Sequence, residues 1–442
     1  MNKKYFFFWL LIFSIIICAH SQSGFRFKEK KQKKQRISFK LIHNLIVIPI
    51  AVNGKNLSFI LDTGVSKTII FQTKDTDSSM LFQPKEVFLR GLGTGLSIAA
   101  LQSTGNRIKI KGLVAENETL FAIEAGFFDV SSKMGVPIHG IIGHALLKNL
   151  ILKINYKSKK INFYNSEKYQ YKKCRKCEIL SIQFHGKKPY VDIEVQIDTI
   201  GNQLIPVKML LDSGGTDALW LFEDFKTTIK TPKKYFKDIL GEGLSGVIYG
   251  NRSKIPKLKI GIFEIKKPTV SFLDTISTRV ARRFKARNGS LGGGILKRFT
   301  VWLDYPNKQV MLKKNSSFKS PFYYNMSGLD IVYNGKQLVE EIVPDISNYR
   351  PRKNNLVTFS TAYSYQFKPS FKIKTVVKNS SADKAGLKDG DIIVRINNKP
   401  ASEFSLNDIV NEFSEKGNKK IRMKIKRFGI EMTFKFRLEK KI

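Results

Sequence analysis

Two aspartates of this chain stand in nearly the same setting, 150 residues apart. Asp62 lies in "FILDTGVSKTIIF" (59–71) and Asp212 in "VKMLLDSGGTDALWLF" (207–222), each between an apolar run and a small hydroxyl-glycine pair. One such stretch reads as a turn, because Asp, Thr and Gly all favour turns. Two copies ask for more. If the loops face each other, the carboxylates come within a few ångströms and cannot both ionise, so the pair shares one proton. One member then takes a proton from a bound water while the other donates to a carbonyl oxygen, which cleaves an amide without metal or covalent intermediate. Gly64 and Gly214 let the backbone turn tightly enough to aim the acids. Thr63 and Ser213 can hydrogen-bond across the interface, and Ser66 and Thr216 offer hydroxyls to orient the carboxylates.

The elements that must position these loops repeat as well. "LRGLGTGLS" (89–97) lines up with "ILGEGLSGV" (239–247), and "HGIIGHALLKNLILKINYKSKKINF" (139–163) with "NGSLGGGILKRFTVWLDYPNKQVML" (288–312) at an offset of 149. Three landmarks in one order at one spacing mean two copies of a single lobe. Short β-rich runs such as "LIVIPIAV" and "RIKIKGLV", with Gly-bearing turns, predict a mainly antiparallel β architecture. A short helix follows each of "GHALL" and "GGGIL". Two like lobes pack about a pseudo-twofold axis, where a residue meets its own counterpart.

At these residues the chain resembles the aspartic proteases of the two-lobed, pepsin-like or retropepsin-like kind. The resemblance implies the acid-protease β-barrel fold, a first lobe over 37–170, a second over 171–318, and Asp62 and Asp212 as the catalytic pair. It implies that "GIIG" (140–143) and "GSLG" (289–292) form the strand beneath each catalytic loop. It also implies flaps around Gly91, Gly93 and Gly95 in one lobe and Gly241 and Gly243 in the other, nearer the retroviral dimer than pepsin. Val65 and Gly215 stand where pepsin-like relatives carry a hydroxyl that donates to the ionised dyad. Losing that donor raises the dyad's titration range and predicts activity from mildly acidic to neutral pH. Lys67 opposes this only if it points at the dyad, and a solvent-facing side chain is the simpler reading. "GLGTG" could also be read as a phosphate cradle, but no Lys-Ser/Thr follows it.

The C-terminal part, 322–442, differs in kind. "VVKNSSADKAGLKDGDIIVRINNKPASEFSLNDIVNEF" (376–413) resembles a bacterial-type PDZ domain, a small β-barrel with two helices. The resemblance assigns 381–387 to its turn and short helix, 390–393 to the next strand, and 406–413, starting at Leu406, to the groove-lining helix. It assigns Ser327, Gly328, Leu329 and Ile331 to the loop and strand that bind a peptide's terminal carboxylate by strand addition. The stretch 334–372 exceeds what the family needs and reads as an insertion. Deleting residues after about 321 should then spare cleavage of short peptides.

Composition bounds the rest. The chain's 442 residues, 42% of them hydrophobic, suit a multidomain globular protein. Residues 1–21, with Lys3, Lys4, an apolar stretch and a small-x-small site, read as a cleaved signal peptide. That points to the periplasm or envelope of a Gram-negative bacterium, or to secretion. The net charge of +41 is spread along the whole chain without a nucleic-acid motif, so the expected partners are peptide or protein substrates and peptide C-termini, with loose attraction to an anionic membrane surface. The dense run in 22–36 reads as a solvated, flexible basic arm. Cys174 and Cys177 lack further ligands for zinc and form either a local disulfide or an unremarkable pair. No metal or cofactor is expected. The reading is an exported aspartic endopeptidase with a peptide-recruiting PDZ domain. The alternative is a protease-like peptide-binding scaffold without catalysis.

Overall fold

The computed structural model describes residues 23–442 apart from 74–75, 77, 94, 125, 127–128, 199–202, 346–359 and 415, so the segment read as a signal peptide lies outside the described residues. The chain divides into two compact units: 1–128 with 138–322 and Ile442, and 129–137 with 323–441.

The first unit is built from two β lobes of one plan. In the first lobe, strands Leu45–Val52 and Lys55–Leu61 form a hairpin closed by Asn53 and Gly54, both at positive φ, the chemistry that a tight two-residue turn demands. Strand Gly140–Ile142 runs parallel to Lys55–Leu61, pairing Gly140 with Phe59 and Ile142 with Leu61, and antiparallel to Thr68–Gln72. The second lobe repeats this: Lys188–Gln196 pairs with Ile205–Leu211, and Arg287–Leu291 runs parallel to Ile205–Leu211 and antiparallel to Leu219–Phe222. These strands are covered on both faces, which is why runs such as "LIVIPIAV" are apolar almost throughout rather than alternating.

A six-stranded sheet joins the lobes. Leu150–Asn155 of the first pairs antiparallel with Phe299–Asp304 of the second, flanked by Lys160–Asn165 and Gln309–Lys314 and edged by Lys34–Ser38 and Cys177–Ser181. One core, including Ile48, Phe59, Leu152, Phe163, Met209 and Leu303, runs through both lobes.

The basic arm is not free, contrary to its charge pattern. Phe25 is fully buried, Arg26–Phe27 pairs with Leu113–Glu124, and Lys34–Ser38 adds to the interlobe sheet. Its lysines face solvent while two phenylalanines and Ile37 anchor the backbone between them. Cys174 and Cys177 are joined as a disulfide.

In the second unit, two 17-residue strands, Leu329–Asp345 and Ser360–Val376, make a long hairpin that accounts for the insertion read at 334–372. Strands Ile392–Ile396, Lys420–Arg427 and Ile430–Arg437 continue the sheet. Helix Leu406–Glu412 starts with a reciprocal capping box between Ser405 and Asp408. Arg427 holds the carboxylate of buried Asp391 in two-pronged fashion, Nε to Oδ1 at 2.7 Å and Nη2 to Oδ2 at 2.8 Å. The unit also takes in a short helix from far upstream, Val130–Met134. Asp129 caps its first turn and Gly135, at φ 67°, ends it.

Candidate active site

Each aspartate follows a strand that ends in the lobe core, so a rigid element delivers it. Asp62 follows Lys55–Leu61 and Asp212 follows Ile205–Leu211, and their amides donate to the carbonyls of Ile142 and Leu291 on the adjoining parallel strands. The loops then clasp each other. Thr63 N–H donates to Ser213 Oγ at 3.0 Å and Ser213 N–H to Thr63 Oγ1 at 2.9 Å. The same hydroxyls donate across the axis to the carbonyls of Leu211 and Leu61, at 2.5 and 2.8 Å. Thr63 and Ser213 are buried, so these crosswise bonds act away from competing water.

The carboxylates meet at the centre. A Cβ on Gly64 would lie 3.0 Å from both Asp62 Oδ1 and Asp212 Oδ1, and one on Gly214 would lie 2.2 Å from Asp62 Cγ. Only glycine fits between these loops. The Gly64 amide donates to Asp62 Oδ1 at 2.6 Å and that of Gly214 to Asp212 Oδ1 at 3.1 Å. Burial, then the neighbouring Asp212, push the Asp62 carboxyl up to about 7. Burial also raises Asp212, but the charges of Arg287 and Lys188 and the hydrogen bond from Asp62 pull it back. Two buried carboxyls this close titrate as a pair, and both are raised, so the pair favours holding one shared proton.

Ser66 and Thr216 do not orient the acids. Neither hydroxyl hydrogen-bonds to a dyad carboxylate, and Thr216 instead accepts from Asn44 Nδ2 through its carbonyl at 2.7 Å. Lys67 points away, its ammonium 3.9 Å from the centroid of the Phe121 ring.

The Gly-rich stretches come together at their tips. Gly91, Gly93 and Gly95 lie in the connection between Lys85–Leu89 and Ile98–Ile110, and Gly243 is at the end of the hairpin Tyr235–Gly243/Gly246–Lys254. Gly91 N–H donates to Ser245 Oγ at 3.1 Å, Gly95 N–H to Ser245 O at 2.6 Å, and Ser245 N–H to Leu92 O at 3.0 Å. Cβ positions on Gly93 and Gly243 would fall 2.5 and 2.3 Å from backbone of the opposite tip, so glycine is what permits the approach. Gly241 lies outside this contact, at an irregularity in the strand pairing.

Three residues near the dyad carry no signal in their local sequence. Lys188 and Arg287 act on the aspartates through their charge. Tyr305 is buried with its hydroxyl unpartnered, and its acidity is suppressed by burial and by both aspartates. Only the strand register, which depends on hairpin lengths, brings Lys188 to this place.

In the second unit the expected carboxylate loop is internally satisfied. Ser327 N–H donates to Asn325 Oδ1 and Leu329 N–H to Ser327 Oγ, each at 3.0 Å. Gly328, at φ 79°, leaves no room for a Cβ beside Ser380. Leu329, Ile331 and Leu406 are buried rather than lining an open groove. Helix Val130–Met134 packs on strand Leu329–Asp345, and a Cβ on Gly135 would lie 3.0 Å from Leu406 Cβ. The elements predicted to wall a peptide groove are thus already covered by the chain itself.

Among the described residues no cluster of three or more His, Cys, Asp or Glu could hold a metal, and no helix is long and apolar enough to cross a membrane.

Comparison with known proteins gives the same division. The family model of aspartyl proteases matches residues 48–146 and that of PDZ domains residues 372–427. The solved structures include an aspartic proteinase from Irpex lacteus, 14% identical, with a TM-score of 0.43 over 65% of this chain and 98% of that one. No curated protein matches the sequence. This chain carries an aspartyl protease domain, in a mostly β, two-lobed body, and a C-terminal PDZ domain.

Proposed function

We propose that the protein is an aspartic endopeptidase that hydrolyses peptide bonds with Asp62 and Asp212. The observation that carries this reading is the crosswise clasp of the two Asp-Thr/Ser-Gly loops, which brings the two carboxyls together. The ionised member of the pair takes a proton from the attacking water, and the protonated member donates to the carbonyl oxygen as the tetrahedral intermediate forms. Proton transfer back to the amine releases it. The interlocked Gly-rich tips would close over an extended peptide and exclude bulk water. An acidic dyad kept partly protonated near neutral pH suits an exported enzyme of the cell envelope, where the basic surface favours anionic partners. The PDZ domain would recruit substrate C-termini once the helix Val130–Met134 vacates its groove.

Mature protein incubated with a mixed peptide library, with and without a statine-type inhibitor, tests the activity. Asp62→Asn and Asp212→Asn should each remove cleavage, by at least about a thousandfold in kcat, while leaving the fold and peptide affinity largely intact. Near-normal turnover in either variant would overturn the shared-proton mechanism. Wild-type protein that binds peptides and cleaves none would establish the non-catalytic scaffold.

A further inference from the structure

The two lobes are alike in backbone and unlike in charge. In the first lobe Val47 pairs with Ile60, and continuing that register by two residues sets Leu45 opposite Asp62. In the second, Tyr190 pairs with Leu210, and the same step sets Lys188 opposite Asp212. Cross-strand partners share a sheet face, so each aspartate has this residue as its near neighbour. The strand beneath each loop differs in the same sense: two residues before Gly140 stands Ile138, and two before Gly289 stands Arg287. The first-lobe positions, Leu45 and Ile138, are buried aliphatics, whereas the second-lobe positions are cations, Arg287 acting on Asp212 and Lys188 on both aspartates.

Neither cation is neutralised by a fixed partner. Arg287 is 3% exposed and donates through Nε to Gly289 O at 3.1 Å and through Nη2 to Ser290 Oγ at 2.7 Å, with Tyr190 beside it, but forms no ion pair. Lys188 is partly buried and has no ion pair either. Among the described residues the carboxyls that act on them are those of the dyad, which in its singly protonated form carries one negative charge against two positive ones. A cleft with a net positive charge in reduced dielectric favours an anion, and a carboxylate is the anion that a peptide brings.

We propose that Lys188, backed by Arg287, is a specificity-determining residue that receives a carboxylate of the substrate on the second-lobe side of the scissile bond, while the first-lobe side takes an apolar residue. The carboxylate comes either from an Asp or Glu side chain or from the substrate's own C-terminus. This rests on the peptide-cleaving reading of the same cleft, and the test separates the two. Peptides differing only by Glu or Gln at each position around the cleaved bond, with free-acid or amide ends, are bound to the Asp62→Asn protein and followed by fluorescence anisotropy. One Glu peptide should bind about tenfold more tightly than its Gln twin, as a charge-assisted hydrogen bond provides. If the terminus is the source, free acid should beat amide instead. Lys188→Met should bring the ratio close to one, Lys188→Arg should retain it, and Lys188→Glu should turn preference toward a Lys peptide. Equal affinities in all pairs, or a ratio that survives Lys188→Met, overturn the proposal. Since binding is read without turnover, absence of cleavage by the wild type would count against the hydrolytic reading alone. Cleavage of all pairs at one rate, with equal affinities, would count against this inference alone.

Discussion

At the scale of single residues, the proton equilibrium of Asp62 and Asp212 sets the pH range expected for the proposed cleavage. With Asp62 raised to about 7, the singly protonated pair persists to near neutrality, and activity falls above it as the shared proton is lost. At the acid end activity falls as the pair gains its second proton. The position of Gly215 allows this limb to be moved, because a Cβ there would lie 3.5 Å from Asp212 Oδ2. Gly215→Ser can supply the missing hydroxyl donor to the anion, which lowers the titration and extends kcat/KM toward acid; a profile on a neutral peptide that does not move would show that burial alone sets the range. The facing of the two aspartates was legible because each sits in its own copy of one Asp-Thr/Ser-Gly motif, and so was the clasp of Thr63 and Ser213. The hydroxyls of Ser66 and Thr216 were misread, since proximity in sequence says nothing of where a side chain turns after a tight loop. Lys188 was invisible, because its nearness to Asp212 depends on the length of a hairpin that the sequence leaves open.

Among the elements, the second-lobe hairpin is tied down at its stem. Arg252, on Gly246–Lys254, reaches Asp238 Oδ2 at 2.7 Å on the paired strand and Asp217 Oδ1 at 3.0 Å in the loop that follows Asp212. Asp217 in turn accepts from Trp220 Nε1 and Ser271 Oγ. This network couples the hairpin to the loop that follows Asp212 through side chains that water reaches poorly. Arg252→Met should lower stability by about 2 kcal/mol, since it leaves Asp217 and Asp238 short of a charged donor, and should raise KM more than it lowers kcat. A denaturant midpoint and steady-state kinetics on one peptide check both. Glycine spacing marked both Gly-rich tips by region, but their mutual contact through Ser245 is a tertiary fact with no local pattern. The basic arm failed as a reading for the opposite reason: a count of lysines outweighed the two phenylalanines and the isoleucine that place it in the sheets.

For the whole molecule, the C-terminal unit is not a separable appendage. Val130 and Met134 of the upstream helix are buried within it, so deletion of 323–442 uncovers them rather than trimming a neutral domain. The deletion should lower the Tm of the remaining protein and impair cleavage of short peptides too, with Met134→Gln in the same background recovering part of the solubility; a shortened protein as stable and active as the full chain would contradict this. The repeat made both lobes legible from sequence, and a forty-residue pattern did so for the PDZ domain. The excursion at 129–137 was hidden because a five-residue helix has too few turns to show a periodicity. Its origin also bears on time. In synthesis from the N-terminus, 195 residues separate Met134 from Leu329, at the start of the strand it packs against, and at about 5–20 residues per second that interval lasts roughly ten to forty seconds. Through that interval the apolar side of Val130–Met134 has no strand to pack against, so the settling of this excursion waits on synthesis of the C-terminal unit.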